Sequence, residues 1–231
     1  MSLSKKDRWK MFNTISATYD TINRWMTFGM DITWRKAIIR TLSDSCQTLL
    51  DVASGTMDVA ITAAKKKSAI NSITAMDMAS DMLSIGEKKC QELGIKNIKS
   101  VVADVHHMPF DDQSFDAITV SFGIRNFEHL GQAFLDMHRV LNPSGELIIL
   151  ETCQPSNKLM TFFNHLYLRF WVQFIANMIS GKKDAYAYLS NSIKNFHQPK
   201  ELQNMLKEAG FKQVNTKYFA LKSVQLIHAV K

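Results

Sequence analysis

Short apolar runs alternate with helical patterns through the middle of the chain, and this alternation limits the fold more than any other feature. Strands and helices of these lengths, taken in turn, form βαβ units, and repeated βαβ units build a largely parallel sheet. The predicted strands are Thr48–Val52, Ser72–Asp77, Ile98–Ala103, Phe115–Phe122 and Glu146–Thr152.

The helical patterns between these strands end at recognisable stop signals. Gly94 stands where a helix C-cap glycine is expected. The stretch Asn142–Gly145 (NPSG) predicts a stop and a turn before the fifth strand. The predicted helices are Asp58–Lys67, Ala79–Leu93 and Glu128–Leu141.

The C-terminal part of the chain departs from the alternation. Pro199–Ala209 is predicted as a helix, with proline near its start and Gly210 past its end. Two extended runs follow, Gln213–Ala220 and Ser223–Val230. Their short link allows only an antiparallel hairpin, because a parallel return needs a dozen or more residues. The expected fold is therefore an α/β domain with a seven-stranded mixed sheet.

Two aromatic-rich segments lie outside the strand and helix pattern. Residues 1–45 have helical character, and residues 157–197 contain nine aromatics in 41 residues. We expect one domain spanning residues 1–231, in which the first segment is a helical cover and the second a helical insertion. No signal peptide is expected, because the first ten residues (MSLSKKDRWK) lack an apolar run, and no membrane span is expected, because polar side chains interrupt the most apolar stretch, Leu159–Ile179.

The chain is basic, with 28 Lys and Arg against 21 Asp and Glu, a formal net charge of +7. Nucleic acid, an anionic membrane or an acidic small molecule could each account for the excess. The basic residues form short scattered clusters, and no RNA-binding module is evident, so no nucleic-acid partner is expected. Three cysteines without a CxxC pair indicate a reducing, cytoplasmic setting.

Acidic side chains end three successive predicted strands: Asp51, Asp77 and Asp104. Ligands of open α/β sheets bind beyond the carboxyl ends of the strands, where Gly55 would let the backbone approach closely. The three-glycine dinucleotide fingerprint is absent, and a carboxylate at this place repels pyrophosphate but attracts a sulfonium. With Ser121 near the end of the fourth strand, the pattern predicts a nucleoside site without phosphate. S-adenosylmethionine is the cofactor we expect.

Several motifs carry a resemblance to a known family. The hexapeptide SFGIRN at residues 121–126 is the most discriminating of them. Through these motifs the chain resembles the ubiquinone/menaquinone biosynthesis C-methyltransferases, the UbiE/MenG family of class I methyltransferases. The matching pieces are Phe12–Asp20, Asn23–Trp34, Leu50–Asp58, Pro109–Asn126 and Ala185–Ile193.

The resemblance implies transfer of a methyl group from S-adenosylmethionine to a ring carbon of a polyprenylated quinol, either 2-demethylmenaquinol or its ubiquinone-pathway equivalent. It places Tyr19, Arg125 and Asn126 around the ring that is methylated. Family glycines are replaced by Ser54 and Met57, and the bulkier Met57 is expected to crowd the cofactor. The positions that match cofactor-binding residues are Thr56, Asp77, Met78, Asp104, Val105 and Ser121.

The implied reaction needs a reduced ring, because an oxidised quinone is electron-poor while a phenolate carries negative charge on its ortho carbon. A fixed guanidinium such as Arg125 would favour the phenolate. We expect a water or a histidine, rather than Arg125, to accept the proton. Tyr19 and Asn126 could hydrogen-bond the ring oxygens. The competing interpretation of Arg125 is a salt bridge to Asp51 or Glu128.

The expected partner is a lipid quinol. The aromatic segments are therefore expected to form an apolar lid over its tail, in addition to contributing to the core. With the positive charge they also predict weak, reversible contact with the inner face of an anionic membrane. No metal site is expected, since the histidines lack ligand spacing. The sequence leaves undecided whether the chain forms a homodimer. Three alternative functions also remain: a methyltransferase for a soluble small molecule, a nucleoside-binding scaffold without catalysis and, less favoured, an RNA methyltransferase.

Overall fold

The computed structural model describes residues 8–154, 166–172, 174, 188, 191–193 and 195–231. Within these ranges, seven strands form one sheet. They are β1 (Thr48–Val52), β2 (Ser72–Asp77), β3 (Ile98–Val102), β4 (Phe115–Ser121), β5 (Leu141–Thr152), β6 (Gln213–Phe219) and β7 (Val224–Val230).

The sheet has the order β3-β2-β1-β4-β5-β7-β6. β1 pairs in parallel with both β2 and β4, and β3 and β5 extend the parallel part on either side. β7 pairs antiparallel with β5 and β6, so the C-terminal hairpin closes one edge. The mixed seven-stranded sheet predicted from the sequence is therefore confirmed.

β5 differs from its predicted bounds, because it begins at Leu141 rather than at Glu146. Leu141 pairs with Phe115 and Glu146 pairs with Ala117, so the register shifts between the two pairs. Ser144 has a φ of 63°, which is left-handed backbone. The predicted turn over Asn142–Gly145 is thus wrong: these residues form an irregularity within the strand.

Helices pack on both faces of the sheet. Three of them contribute to the core on one face, and two to the core on the other. The first three are α2 (Met30–Thr41), α3 (Asp58–Lys66) and α4 (Ser80–Glu92); the other two are α5 (Leu130–Val140) and α6 (Pro199–Glu208). The predicted helices agree with these bounds to within two residues.

The N-terminal helix α1 (Arg8–Met26) belongs to a third, smaller core. Its buried side chains pack with Ile193 and with the half-buried rings of Tyr167, Trp171 and Tyr188. Most of the predicted insertion at residues 157–197 lies outside the described residues. None of the helices in the described ranges combines the length and apolarity needed to cross a bilayer.

Candidate active site

A cleft lies at the carboxyl ends of β1, β2 and β4, where the strand order reverses between β1 and β4. This is where ligands bind in open α/β sheets. One side is formed by α1, through Trp9, Phe12 and Tyr19. The predicted site residues that line the cleft are Tyr19, Gly55, Asp77, Met78, Asp104, Val105, Ser121 and Asn126.

Asp77 is the acidic residue at the end of β2, and it is tied to the loop after β1. Its Oδ2 accepts a hydrogen bond from the Gly55 backbone N–H (2.9 Å), and its Oδ1 accepts one from Ala79 (2.8 Å). Burial raises the pKa of Asp77, although the two backbone N–H groups oppose that rise. Because each carboxylate oxygen has two lone pairs, both can still accept a further hydrogen bond from a ligand.

Asp104, beyond the end of β3, holds the ring of His106. Its Oδ1 accepts from the His106 backbone N–H (3.0 Å) and lies 2.5 Å from Nδ1 of the same residue. The backbone N–H of His129 donates to His106 Nε2 (3.1 Å), which assigns the ring proton to Nδ1. Burial acts to raise the pKa of Asp104, but these hydrogen bonds bring it below its usual value.

Ser121 ends β4 and is among the residues that line the cleft, and its hydroxyl is buried. Its Oγ has no hydrogen-bond partner within the described part of the chain. A buried hydroxyl without a partner is unusual, and here it lies in the wall of the cleft. The missing partner makes Ser121 a candidate to bind a polar group of a ligand.

Asp51 does not line the cleft. It is 1% exposed, and its two oxygens accept from the hydroxyls of Ser54 (2.5 Å) and Thr119 (2.6 Å). Burial raises its pKa to about 6, with both hydroxyls opposing the rise. The carboxylate therefore lies beneath the loop and fixes its shape.

Thr56 is also buried, and its hydroxyl is directed toward α1. Thr56 Oγ1 donates to Asp20 Oδ1 (2.6 Å), while Asp20 Oδ2 forms an ion pair with Lys89 Nζ (2.6 Å). Lys89 in turn donates to the Thr56 carbonyl (3.2 Å) and to Asp58 (2.8 Å). The loop after β1, the covering helix α1 and α4 are thus joined by one polar network.

Asn126 also lines the cleft, from a short 3₁₀ turn at Ile124–Asn126. The Tyr188 hydroxyl donates to Asn126 Oδ1 (2.7 Å), and Arg8 Nη1 donates to its carbonyl (3.2 Å). Because Oδ1 accepts this bond, the amide nitrogen points elsewhere and remains a donor. Nearby, burial raises the pKa of Tyr19, and the charge of Arg125 opposes that rise.

Arg125 forms a buried ion pair, and its partner is Glu151 rather than Asp51 or Glu128. Its Nη1 lies 2.6 Å from Glu151 Oε1 and donates to the Phe122 carbonyl (2.7 Å). Burial acts to lower the pKa of Arg125, but the Glu151 carboxylate raises it above its ordinary value. Arg125 is not among the residues that line the cleft.

Several residues that contact the predicted site residues were not themselves predicted from the sequence, among them Glu151, Asp20, Tyr188 and Arg8. Glu151 could have been found, because it stands at the end of β5 as Asp77 does at the end of β2. The others act across long separations in sequence and give no local signal. They are Asp20, Tyr188 and Arg8.

A family model described as the ubiE/COQ5 methyltransferase family matches residues 1–231. The chain belongs to the ubiE/COQ5 methyltransferase family. It is 40% identical to a demethylmenaquinone methyltransferase of Thermotoga maritima, covering 90% of this chain and 89% of the relative. It is 37% identical to the ubiquinone/menaquinone biosynthesis C-methyltransferase UbiE of Rickettsia bellii, covering 90% and 85%.

Solved structures share the fold of this ubiE/COQ5 methyltransferase at low sequence identity. A SAM-dependent methyltransferase from Aquifex aeolicus superposes with a TM-score of 0.61 at 16% identity, covering 85% of this chain and 88% of the other. Phosphoethanolamine N-methyltransferase 2 of Haemonchus contortus gives 0.64 at 14% identity, covering 85% and 52%. Both similarities concern the fold alone, that is, the sheet and the helices packed against it.

The two departures from the glycine pattern of this ubiE/COQ5 methyltransferase leave the cleft open. Ser54 points its hydroxyl at Asp51, as described above. Met57 has a φ of 63° and is 1% exposed, and it is not among the residues that line the cleft. Its side chain packs against Gly86 of α4 instead. The expected crowding of the cofactor by Met57 is therefore not found.

Proposed function

We propose that this chain transfers the methyl group of S-adenosylmethionine to a ring carbon of a polyprenylated quinol, with 2-demethylmenaquinol as the acceptor or the equivalent in ubiquinone synthesis. The observation that carries the proposal is the mixed lining of one cleft. It combines the polar groups of Asp77, Asp104 and Ser121 with Tyr19, Asn126 and the aromatic side chains that α1 contributes. The names of the relatives support the same substrate class.

The acidic and hydroxyl groups of the cleft fit a nucleoside. The Asp77 carboxylate can accept from ribose hydroxyls, and Asp104 Oδ2, which makes no hydrogen bond to a described residue, can accept from an adenine amino group. The unpartnered hydroxyl of Ser121 supports the same fit. When bound, S-adenosylmethionine supplies an electrophilic methyl group on its sulfonium.

Asn126 and Tyr19 fit the ring of a quinol. The Tyr188 hydroxyl sets the orientation of the Asn126 amide, so that its Nδ2 hydrogens can donate to a phenolate oxygen. Such donors stabilise the charge that makes the ring carbon nucleophilic. Arg125 lies close enough to influence Tyr19 electrostatically. We assign to Arg125 the positioning of the turn that carries Asn126, since its charge is paired with Glu151.

Water, rather than histidine, is the proton acceptor that we propose. His106 is the histidine in the cleft wall, and both of its ring nitrogens already form hydrogen bonds. Its Nε2 lone pair is directed at the backbone N–H of His129, so it is not free to take a proton from a phenol. The ring carbon that gains the methyl group loses its own proton afterwards, and water can accept that proton too.

The test uses the purified protein, S-adenosylmethionine and a short-tailed naphthoquinol that lacks the ring methyl group. Mass spectrometry should show one added methyl on the reduced acceptor and none on the oxidised quinone. Equal reaction of both forms would contradict the phenolate mechanism. Methylation of soluble phenols in preference to the quinol would favour a soluble substrate instead.

Cofactor binding is tested separately by calorimetry with S-adenosylhomocysteine. Asp77→Asn should weaken binding by about ten-fold or more, because hydrogen bonds to a charged acceptor contribute about 1.5–3 kcal/mol. Asp111→Asn, the same change at an exposed loop position outside the cleft, is the control. Absence of binding by the unmodified protein would support a scaffold without catalysis.

A further inference from the structure

Large aromatic side chains are exposed beside the covering helix α1. Trp25 is 53% exposed and Phe28 is 63% exposed, and the segment at residues 166–174 adds Phe170 (62%) and Phe174 (57%). We call these four residues the aromatic patch. Exposed aromatic groups of this size mark surfaces that contact a partner or a membrane.

The aromatic patch is held together by contacts between its two segments. The ring of Phe28 stacks on Trp171 with centroids 4.8 Å apart and planes 16° from parallel. Trp171 Nε1 donates to the Trp25 carbonyl (3.4 Å), and the Tyr167 hydroxyl donates to the Met26 carbonyl (2.5 Å). These contacts fix the end of α1 against a part of the chain that is distant in sequence, so the aromatic patch has a defined geometry.

Helix α2 leads from the aromatic patch to a basic surface. Phe28 lies just before α2, and Ile32 near its start is 41% exposed. Lys36 and Arg40 follow at intervals of four residues, so they continue the same stripe of the helix. The spacing from Ile32 to Arg40 corresponds to about 12 Å along the axis.

Two lysines of α3 enlarge this basic surface. Lys36, Arg40, Lys65 and Lys66 line one shallow cavity, and we call them the basic cluster. None of the four forms an ion pair with any residue that the structure describes. Their charges are therefore available to an external anion.

We propose that the aromatic patch and the basic cluster together dock the protein on the surface of an anionic lipid bilayer, an inference that rests on the proposed lipid quinol substrate. Aromatic side chains enter the interfacial zone of a bilayer, and nearby cations bind anionic headgroups. The stripe of α2 carries both kinds of group and would lie along the membrane surface. Helix α1 connects the patch with the cleft, because its Trp25 belongs to the patch and its Tyr19 lines the cleft.

A second copy of the chain fits this surface less well. An isologous interface brings the same surface of both copies together. Each copy would then bring its basic cluster to the interface, and the repulsion between the two clusters would oppose association. The combination of exposed rings with unpaired cations therefore favours a lipid surface.

The test is co-sedimentation of the purified protein with vesicles, in the absence of any acceptor. We expect binding to phosphatidylcholine vesicles that contain phosphatidylglycerol, and at least about ten-fold weaker binding to phosphatidylcholine alone. Trp25→Ser with Phe28→Ser should reduce binding to the anionic vesicles. Leu135→Ser on α5, 50% exposed on the other side of the sheet, is the matched control and should bind normally.

The charges are tested in the same way. Lys36→Glu with Arg40→Glu should lower vesicle binding by about ten-fold or more, because each cation near an anionic membrane contributes about 1 kcal/mol. Lys200→Glu with Lys207→Glu on α6 changes the net charge equally at exposed positions and should have little effect. Equal losses in both double variants would show a non-specific charge effect and overturn the proposal.

Two further outcomes keep this proposal separate from the proposed function. Sedimentation velocity that shows a dimer, converted to a monomer by the Trp25 and Phe28 changes without any vesicle binding, would assign the patch to self-association and overturn the docking. Every variant should bind S-adenosylhomocysteine as the unmodified protein does. Failure of methyl transfer by a protein that still binds vesicles would count against the substrate and leave the docking intact.

Discussion

A Cβ placed on Gly86 would lie 2.7 Å from Sδ of Met57, so the methionine at the start of α3 occupies the space that a side chain on α4 would need. The resemblance implies glycine at position 57, but here a methionine side chain fills the space above Gly86, which has no side chain of its own. The two positions are complementary, which explains how Met57 can be buried without entering the cleft.

We expect Gly86→Ala to destabilise the protein by about 1–3 kcal/mol, because the added methyl group overpacks this contact. In a Met57→Gly background the same change should cost nothing. Denaturant unfolding of the four proteins measures the coupling. Gly131→Ala in α5 is the control, since a Cβ there meets nothing within 4 Å. Purely additive effects of the two changes would contradict the packing described here.

Thr56→Val tests the link between the loop after β1 and the covering helix. The change keeps the shape but removes the hydroxyl that donates to Asp20, and we expect a loss of about 1–3 kcal/mol in stability. Hydrogen exchange should show weaker protection of α1, with little change in affinity for S-adenosylhomocysteine. A large loss of cofactor affinity with α1 still protected would mean that Thr56 contacts the cofactor directly.

Asp51 predicts a specific dependence of stability on pH. Burial raises its pKa to about 6 in the folded protein, whereas an aspartate in the unfolded chain titrates near about 3.9. The folded state therefore binds the proton more tightly. The stabilisation is complete below about pH 4 and is lost as the pH rises through about 6, by up to about 3 kcal/mol.

Asp51→Asn should remove that contribution. We would measure the free energy of unfolding of both proteins between pH 4 and pH 7 and compare their slopes, because other carboxyl groups titrate in the same range. The difference should fall in the window between the two pKa values of Asp51. Parallel curves would show that Asp51 remains ionised when buried.

Arg125 and Glu151 are best tested as a pair. Arg125→Ala alone leaves a buried carboxylate without its partner, which typically destabilises a protein by about 3–5 kcal/mol. Turnover should also fall by about 10²–10³, while cofactor affinity is retained. Glu151→Gln in the same background removes the unpaired charge, so stability should recover while turnover stays low. Recovery of turnover along with stability would show that Arg125 has only a structural role.

The sheet could be predicted from the sequence because each parallel strand is a short apolar run and each connection has a clear stop. The exception is the start of β5. There the NPSG stretch has the composition of a turn, but the chain continues through it with an irregularity at Ser144. Composition alone does not distinguish a turn between two elements from an irregularity within one strand.

The place of Asp77 and Asp104 in the cleft wall could also be anticipated, since both follow from the rule that acidic side chains end the strands. The roles of Thr56 and Arg125 could not. Their partners, Asp20 and Glu151, lie 36 and 26 residues away in sequence, and which side chains meet is decided by packing. A motif indicates that a residue belongs to the site without indicating what it touches.

Helix α1 carries Tyr19 in the cleft and Trp25 on the surface, six residues and about 9 Å apart along its axis. With a bilayer at the aromatic patch, one helix would connect the lipid surface with the cleft, and the isoprene units of a quinol could remain among the acyl chains while its head group is methylated. In that arrangement the protein would not select acceptors by the length of the isoprenoid tail. Acceptors that differ only in isoprenoid length should react at similar rates.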